Sequence, residues 1–239
     1  MSLCQPNEKF SCGACCGLFN LKIDFNEYKN ILQERTEVFH KTVDFSIRWT
    51  MPEYRKIREN KESNYPKKDD TIYNCPFLGY IDENRNRIGC MIHPFFTGDP
   101  KSQNFSFYGA GICQAYDCKN KEKDSANEWK KLFEEVAQNS VEYTRLASNH
   151  ILINRIEKFF ESKQIPLNLL FSTYRKFIKS VLVLEINSPN KYLTSFELEM
   201  ESIFGREEEA LMEYLENFDD EEILNNFKKV DQEKFPGST

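Results

Sequence analysis

The sequence predicts a mainly α protein: an irregular, cysteine-rich N-terminal metal-binding unit with a small hairpin, packed on a C-terminal helical bundle. Three observations predict it. All eight cysteines lie between Cys4 and Cys118, and none lies beyond. The second half carries apolar residues at helical spacing, punctuated by capping residues and prolines. Only one segment, residues 75–94, reads as two short apolar arms around a charged turn. The expected division is a cysteine-cluster domain over residues 1–120 and a helical domain over 121–239.

Taken in order, "LFNLKIDF" (18–25) alternates and predicts a short strand. Residues 26–36 and 52–60 predict helices, and 61–72 a polar loop. In "CPFLGYIDENRNRIGCMIHP" the arms flank "DENRNR", so Cys75 and Cys90 bracket a hairpin and should approach each other. Residues 97–111 predict an irregular loop.

Beyond residue 120, Ser125 with Glu128 predicts a capping box, followed by Trp129, Leu132, Phe133, Val136, Tyr143 and Leu146 on a helix. Ile153, Ile156, Phe159 and Phe160 continue the period until Pro166. Leu170, Tyr174, Phe177, Ile178 and Val181 share the next face, which Asn187-Ser188-Pro189 ends. Thr194 with Glu197 starts another helix. Leu211, Tyr214, Leu215 and Phe218 form a further face, and Asp219 or Asp220 caps a last helix through Ile223, Leu224 and Phe227.

Charge and composition exclude several functions. Residues 1–120 hold sixteen Lys/Arg and fifteen Asp/Glu, whereas 121–239 hold sixteen and twenty-three. An acidic helical half argues against general nucleic-acid binding, which needs a cationic surface, and offers a face to a protein partner. No apolar run is long enough to span a membrane. The opening "MSLCQPNEKF" lacks the basic and apolar regions of a signal peptide, so a cytoplasmic setting is expected. There thiols stay reduced, and clustered cysteines read as metal or redox sites before disulfides. Dinucleotide-binding, P-loop, zincin and nucleophile-elbow motifs are missing.

"FSCGACCG" (10–17) places Cys12, Cys15 and Cys16 at i, i+3 and i+4, on one side of a helical turn, or in a tight loop that Gly13 and Gly17 permit. Cys75 and Cys90 supply a second pair, and Cys113 and Cys118 a third around "QAYD". The candidate metal ligands are therefore Cys12, Cys15, Cys16, Cys75, Cys90, Cys113 and Cys118. Cys4 is the weakest candidate. Seven or eight thiols suit one all-cysteine site with spares, or two sites, and thiolates select zinc, iron–sulfur clusters or Cu(I). A thiol redox switch and a set of inert buried thiols are the competing readings. His93, three residues after Cys90, can be a ligand or an acid–base group or merely packed. His40 and His150 read as packing residues, and Arg85 and Arg87 as solvated turn residues.

These segments, in this order, resemble the CxxCC cysteine-cluster family, the YkgJ-like proteins, described as zinc- or iron-chelating. The family pattern is a CGxCC core, then CPFL, a hairpin ending in Cys-x-Ile-Tyr, Arg-Pro, and C-R-x-[FY]-x-C. The chain matches at Cys12, Cys15, Cys16, Cys75 and Cys90, and at Cys113 and Cys118 with Tyr116 between. It departs at Lys9, where the family often has a cysteine; at His93-Pro94; at an insertion over 95–112; and at Gln114, in place of the usual arginine. The resemblance covers residues 10–118 and implies a zinc or iron–sulfur centre. Flagellin lysine N-methylases share the cluster, which there is thought to hold iron–sulfur. They imply a protein-modifying enzyme as one alternative; a protein-interaction module is the other.

Overall fold

A computed structural model describes residues 2–116, 118–188 and 210–232. The fold is mainly α. Eleven helices and one two-stranded sheet lie among the described residues. The capped helix expected from Thr194 lies outside them, as do Pro189, which closes the expected stop signal, and the end of the chain after residue 232.

Helix α1 (Phe25–Thr42) starts where the Asp24 side chain accepts from the Glu27 N–H at 2.9 Å. It buries Tyr28, Ile31, Leu32, Arg35, Thr36 and Phe39, a stripe at helical spacing. It packs against helix α2 (Thr50–Glu62) and strand β1 (Leu78–Tyr80). Strand β2 (Ile88–Cys90) pairs antiparallel with β1, Leu78 facing Cys90, as the hairpin pattern predicts. "LFNLKIDF" is not a strand. Leu18–Asn20 form a 3-10 turn with all three residues buried, and beyond it Leu21 makes an isolated antiparallel bridge with Lys67 while Lys22 and Asp24 face solvent. The segment read as an irregular loop contains a 3-10 turn at Ser102–Phe105, and the short helices α3 (Pro94–Thr97) and α4 (Gly109–Ala115) stand on either side of that turn.

The helical half comprises α5 (Ala126–Val136), α6 (Ser140–Ser148), α7 (His150–Ser162), α8 (Leu167–Leu170), α9 (Arg175–Asn187), α10 (Leu211–Glu216) and α11 (Glu221–Gln232). The helix expected from Ser125 through Leu146 breaks at Ala137–Asn139. Asn139 restarts it, its side chain accepting from the N–H groups of Val141 and Glu142. The Ser125 hydroxyl does not cap α5; it donates to Glu157 at 2.6 Å. Asp220 caps α11 by accepting from the Ile223 N–H at 3.0 Å.

Three apolar clusters result. The largest joins α5 to α11 and takes in Leu3 and Phe10 from the opening segment. The second lies around α1, β1 and β2 and takes in Val141 of α6. The third joins α1, α2 and the hairpin. No described helix is long and apolar enough to cross a membrane.

Candidate metal centre

One face of α6 holds the cysteine segment in place. Ser140, Tyr143, Thr144 and Ala147 stand at i, i+3, i+4 and i+7. Ser140 Oγ accepts from the Ser11 N–H at 3.0 Å, and Thr144 Oγ1 accepts from the Gly13 N–H at 3.1 Å. The Tyr143 hydroxyl donates to the Leu3 carbonyl at 2.7 Å, and Asn120 donates to the Ala147 carbonyl at 3.1 Å. On the other side, Ser11 Oγ both donates to the Ile88 carbonyl and accepts from the Ile88 N–H, each at 2.6 Å. The loop is thus clamped between α6 and β2.

Ala14–Cys16 then form a 3-10 turn that ends at Gly17 in the left-handed conformation, φ 72°. This glycine is required twice over. Its φ disfavours any side chain, and a Cβ would lie 2.3 Å from the Tyr73 carbonyl oxygen. The close approach lets the Cys75 N–H donate to the Cys16 carbonyl at 2.9 Å, so the first cysteine group meets the CPFL segment. The hairpin brings Cys90 alongside. The Leu78 N–H donates to the Cys75 carbonyl, and Leu78 pairs with Cys90. The insertion over 95–112 folds back and carries Cys113 to the same place. Gln103 donates to the Cys90 sulfur at 3.8 Å and accepts from Gln114 at 3.1 Å, while Ser106 hydrogen-bonds the Cys113 sulfur at 3.6 Å. At the opposite end the Cys12 N–H donates to the Cys4 carbonyl at 2.9 Å, and the Cys4 thiol hydrogen-bonds Cys118.

Thus all seven predicted cysteines, and Cys4 with them, line one seam. The contact of Cys4 with Cys118 spans most of the N-terminal half and leaves no local spacing signal in the sequence. None of the eight is in a disulfide. Among the described residues, no group of three or more His, Cys, Asp or Glu side chains is in place to hold a metal ion as it stands.

Electrostatics vary along the seam. Cys118 is lowered to about 7, first by the hydrogen bond from Cys4, then against burial by the Lys121 and Asn120 backbone N–H groups. Its partner Cys4 is pushed up by that same bond and by burial. The Cys16 thiol lies between Cys15 and Cys75 and lowers both, while its own ionisation is driven up by them. Burial raises Cys12, and raises Cys90 to about 12. The backbone N–H two residues on favours the ionised form of four sulfurs: Ala14 for Cys12, Phe77 for Cys75, Ile92 for Cys90 and Asn120 for Cys118.

Arg35 supports this region from below. It is fully buried and donates to the Cys75 carbonyl at 3.0 Å, to Asn74 at 2.8 Å and, as a fork, to Glu62. Arg58, also buried, shares Glu62 at 2.8 Å. Nothing in the sequence marked these residues. A buried arginine at a stripe position of α1 reads as surface until its partners are known.

His93 is exposed and caps α3, its Nδ1 accepting from the Phe95 N–H at 3.2 Å. His40 is exposed on α1 and His150 is buried at the start of α7. Arg85 pairs with Glu37 at 3.1 Å. Arg87 lies 3.9 Å from Glu8.

Comparison of the chain with family models, with curated proteins and with solved structures found no match in any of the three. The functional reading therefore rests on the cysteines themselves.

Proposed function

We propose that the cysteines form a thiolate metal centre that binds zinc or an iron–sulfur cluster in a reducing, cytoplasmic setting. The observation that carries this reading is the gathering of eight free cysteines from distant parts of the chain, with backbone N–H groups favouring the ionised form of Cys12, Cys75, Cys90 and Cys118. Metal-bound sulfur carries negative charge, and hydrogen bonds to it lower the cost of that charge and tune the centre. Two cations act in the same direction, Arg35 on Cys75 and Lys121 on Cys118. The donor set is all sulfur, with the nearby His93 turned to capping α3, and sulfur selects zinc or iron–sulfur over magnesium or calcium. When bound, the metal would draw the thiols into a shell and stabilise the N-terminal unit.

Converting Cys15 and Cys16 together to Ser tests this. Metal content and thermal stability should fall together; full metal content with unchanged stability would refute the proposal. The enzyme alternative, a lysine N-methylase-like activity that uses the centre, has no support in the geometry beyond the cysteines. The same holds for a protein partner on the acidic helices.

A further inference from the structure

We propose that the eight cysteines are two four-sulfur sets that each take one tetrahedral metal ion: Cys4, Cys12, Cys15 and Cys118 in the first, Cys16, Cys75, Cys90 and Cys113 in the second. The inference rests on the thiolate-centre reading above and goes beyond it in stoichiometry, in the division of ligands and in making Cys4 a ligand.

The backbone draws the division. Cys4 and Cys12 are joined by the 2.9 Å bond from the Cys12 N–H, and Cys16 and Cys75 by the 2.9 Å bond from the Cys75 N–H. Packing draws the same line. Cys12 packs on the helical core, whereas Cys16, Cys75 and Cys90 pack on the core of α1, α2 and the hairpin. The 3-10 turn leaves Cys15 exposed and Cys16 partly buried between the second and third clusters, with their thiols in contact. Cys15 stands where the two sets meet: its thiol hydrogen-bonds Cys16 and acts on Cys75 and Cys113, and it also interacts electrostatically with Cys4, Cys12 and Cys118, whose set it completes to four; Cys113 is carried to Cys90 by the Ser106–Gln103–Gln114 contacts.

Each set also has matching support. The first has two cysteines whose ionised form the N–H two residues on favours, Cys12 and Cys118, and one cation, Lys121; the second has Cys75 and Cys90, and Arg35. Four sulfurs are the complement of one closed zinc site, so eight sulfurs in two sets leave none spare. The adjacency of Cys15 and Cys16 places the two ions side by side across one peptide bond.

The test is zinc titration of the reduced, metal-free full-length protein, read by native mass spectrometry and by competition with a chromophoric chelator. Wild type should bind two zinc ions per chain. C4S and C118S should each bind one, C113S should bind one, and C4S/C113S none with comparable affinity. Cys4, Cys118 and Cys113 belong to none of the three apolar clusters, so these variants spare the cores; circular dichroism checks that each stays folded. One zinc in wild type would overturn the division while leaving the thiolate centre standing. No zinc, in a protein that also holds no iron as purified, would remove both. Loss of both ions in a folded single variant would mark one shared binuclear centre, and two ions in C4S would remove Cys4 from the ligands; either result refutes the division.

Discussion

Substituting Arg35 with Met tests how the fold carries the site. Arg35 is fully buried, and its guanidinium holds both oxygens of Glu62, the Asn74 side chain and the Cys75 carbonyl at once. Methionine fills much of the volume but removes every donor. The Glu62 carboxylate then faces Arg58 alone, and the Cys75 and Asn74 oxygens lose a buried partner. Breaking a buried ion pair from one side costs about 3–5 kcal/mol. Each orphaned buried acceptor adds about 1–3 kcal/mol in isolation, but these groups form one network and their costs do not add. About 4 kcal/mol is the expected net loss, taken from the middle of the ion-pair range. For a chain of this size that corresponds to a fall in Tm of about 8–16 °C. Thermal unfolding followed by circular dichroism, on metal-free and metal-loaded samples, measures it. Because Arg35 also positions the Cys75 backbone, the variant should bind metal at Cys75 more weakly while leaving C118S-sensitive binding intact. A Tm within about 2 °C of wild type, equivalent to under about 1 kcal/mol, would show that the network is not holding α1 to the CPFL segment.

Other outcomes follow from the same contacts. Burial pushes the Glu62 carboxyl up, but Arg35 and Arg58 outweigh it and hold it below the usual range. Its stabilising contribution is therefore complete above the unfolded carboxylate pKa, about 4.3, and is lost as pH falls through the lower folded value. Urea titrations of wild type and Glu62→Gln should differ most at neutral pH and converge in acid; a gap that widens in acid would refute this. Gly17→Ala, with its Cβ against the Tyr73 carbonyl oxygen at positive φ, should displace the Cys16–Cys75 contact and cost more than the ~1–2 kcal/mol that the left-handed conformation alone costs a residue with a side chain. Wild-type Tm in that variant would contradict the packing described. Ser11→Ala removes both Ile88 hydrogen bonds inside a buried site and should cost about 1–3 kcal/mol, read as a lower urea midpoint with unchanged slope. A chelator added to the loaded protein should lower Tm, and to a smaller extent in C4S/C113S.

Much of the architecture was legible because it is local. The apolar stripes of α1, α7 and α9 repeat at helical spacing, and the hairpin is two short arms around a charged turn. The errors arose where tertiary packing overrode a local pattern. Residues 19–25 alternate in polarity, yet Leu18, Phe19 and Asn20 are all buried in a 3-10 turn, Asn20 donating to the carbonyls of Asp69 and Ile72. Ser125 precedes a helix but spends its hydroxyl on Glu157, a residue 32 positions away. For the site, spacing within "SCGACC" and across the hairpin brought five cysteines together on paper. The place of Cys4 beside Cys118, the clamp from α6 and the Arg35 network all depend on long-range contacts that no single segment encodes.

The central claim is that these cysteines hold metal. Anaerobic purification followed by elemental analysis for iron, zinc and acid-labile sulfide, together with an absorption spectrum, tests it most directly. The account predicts stoichiometric metal: either a colourless protein with about two zinc ions per chain, as two four-sulfur sites require, or a brown one with matched iron and sulfide. A protein that carries neither, and takes up neither when reconstituted under reducing conditions, would contradict it.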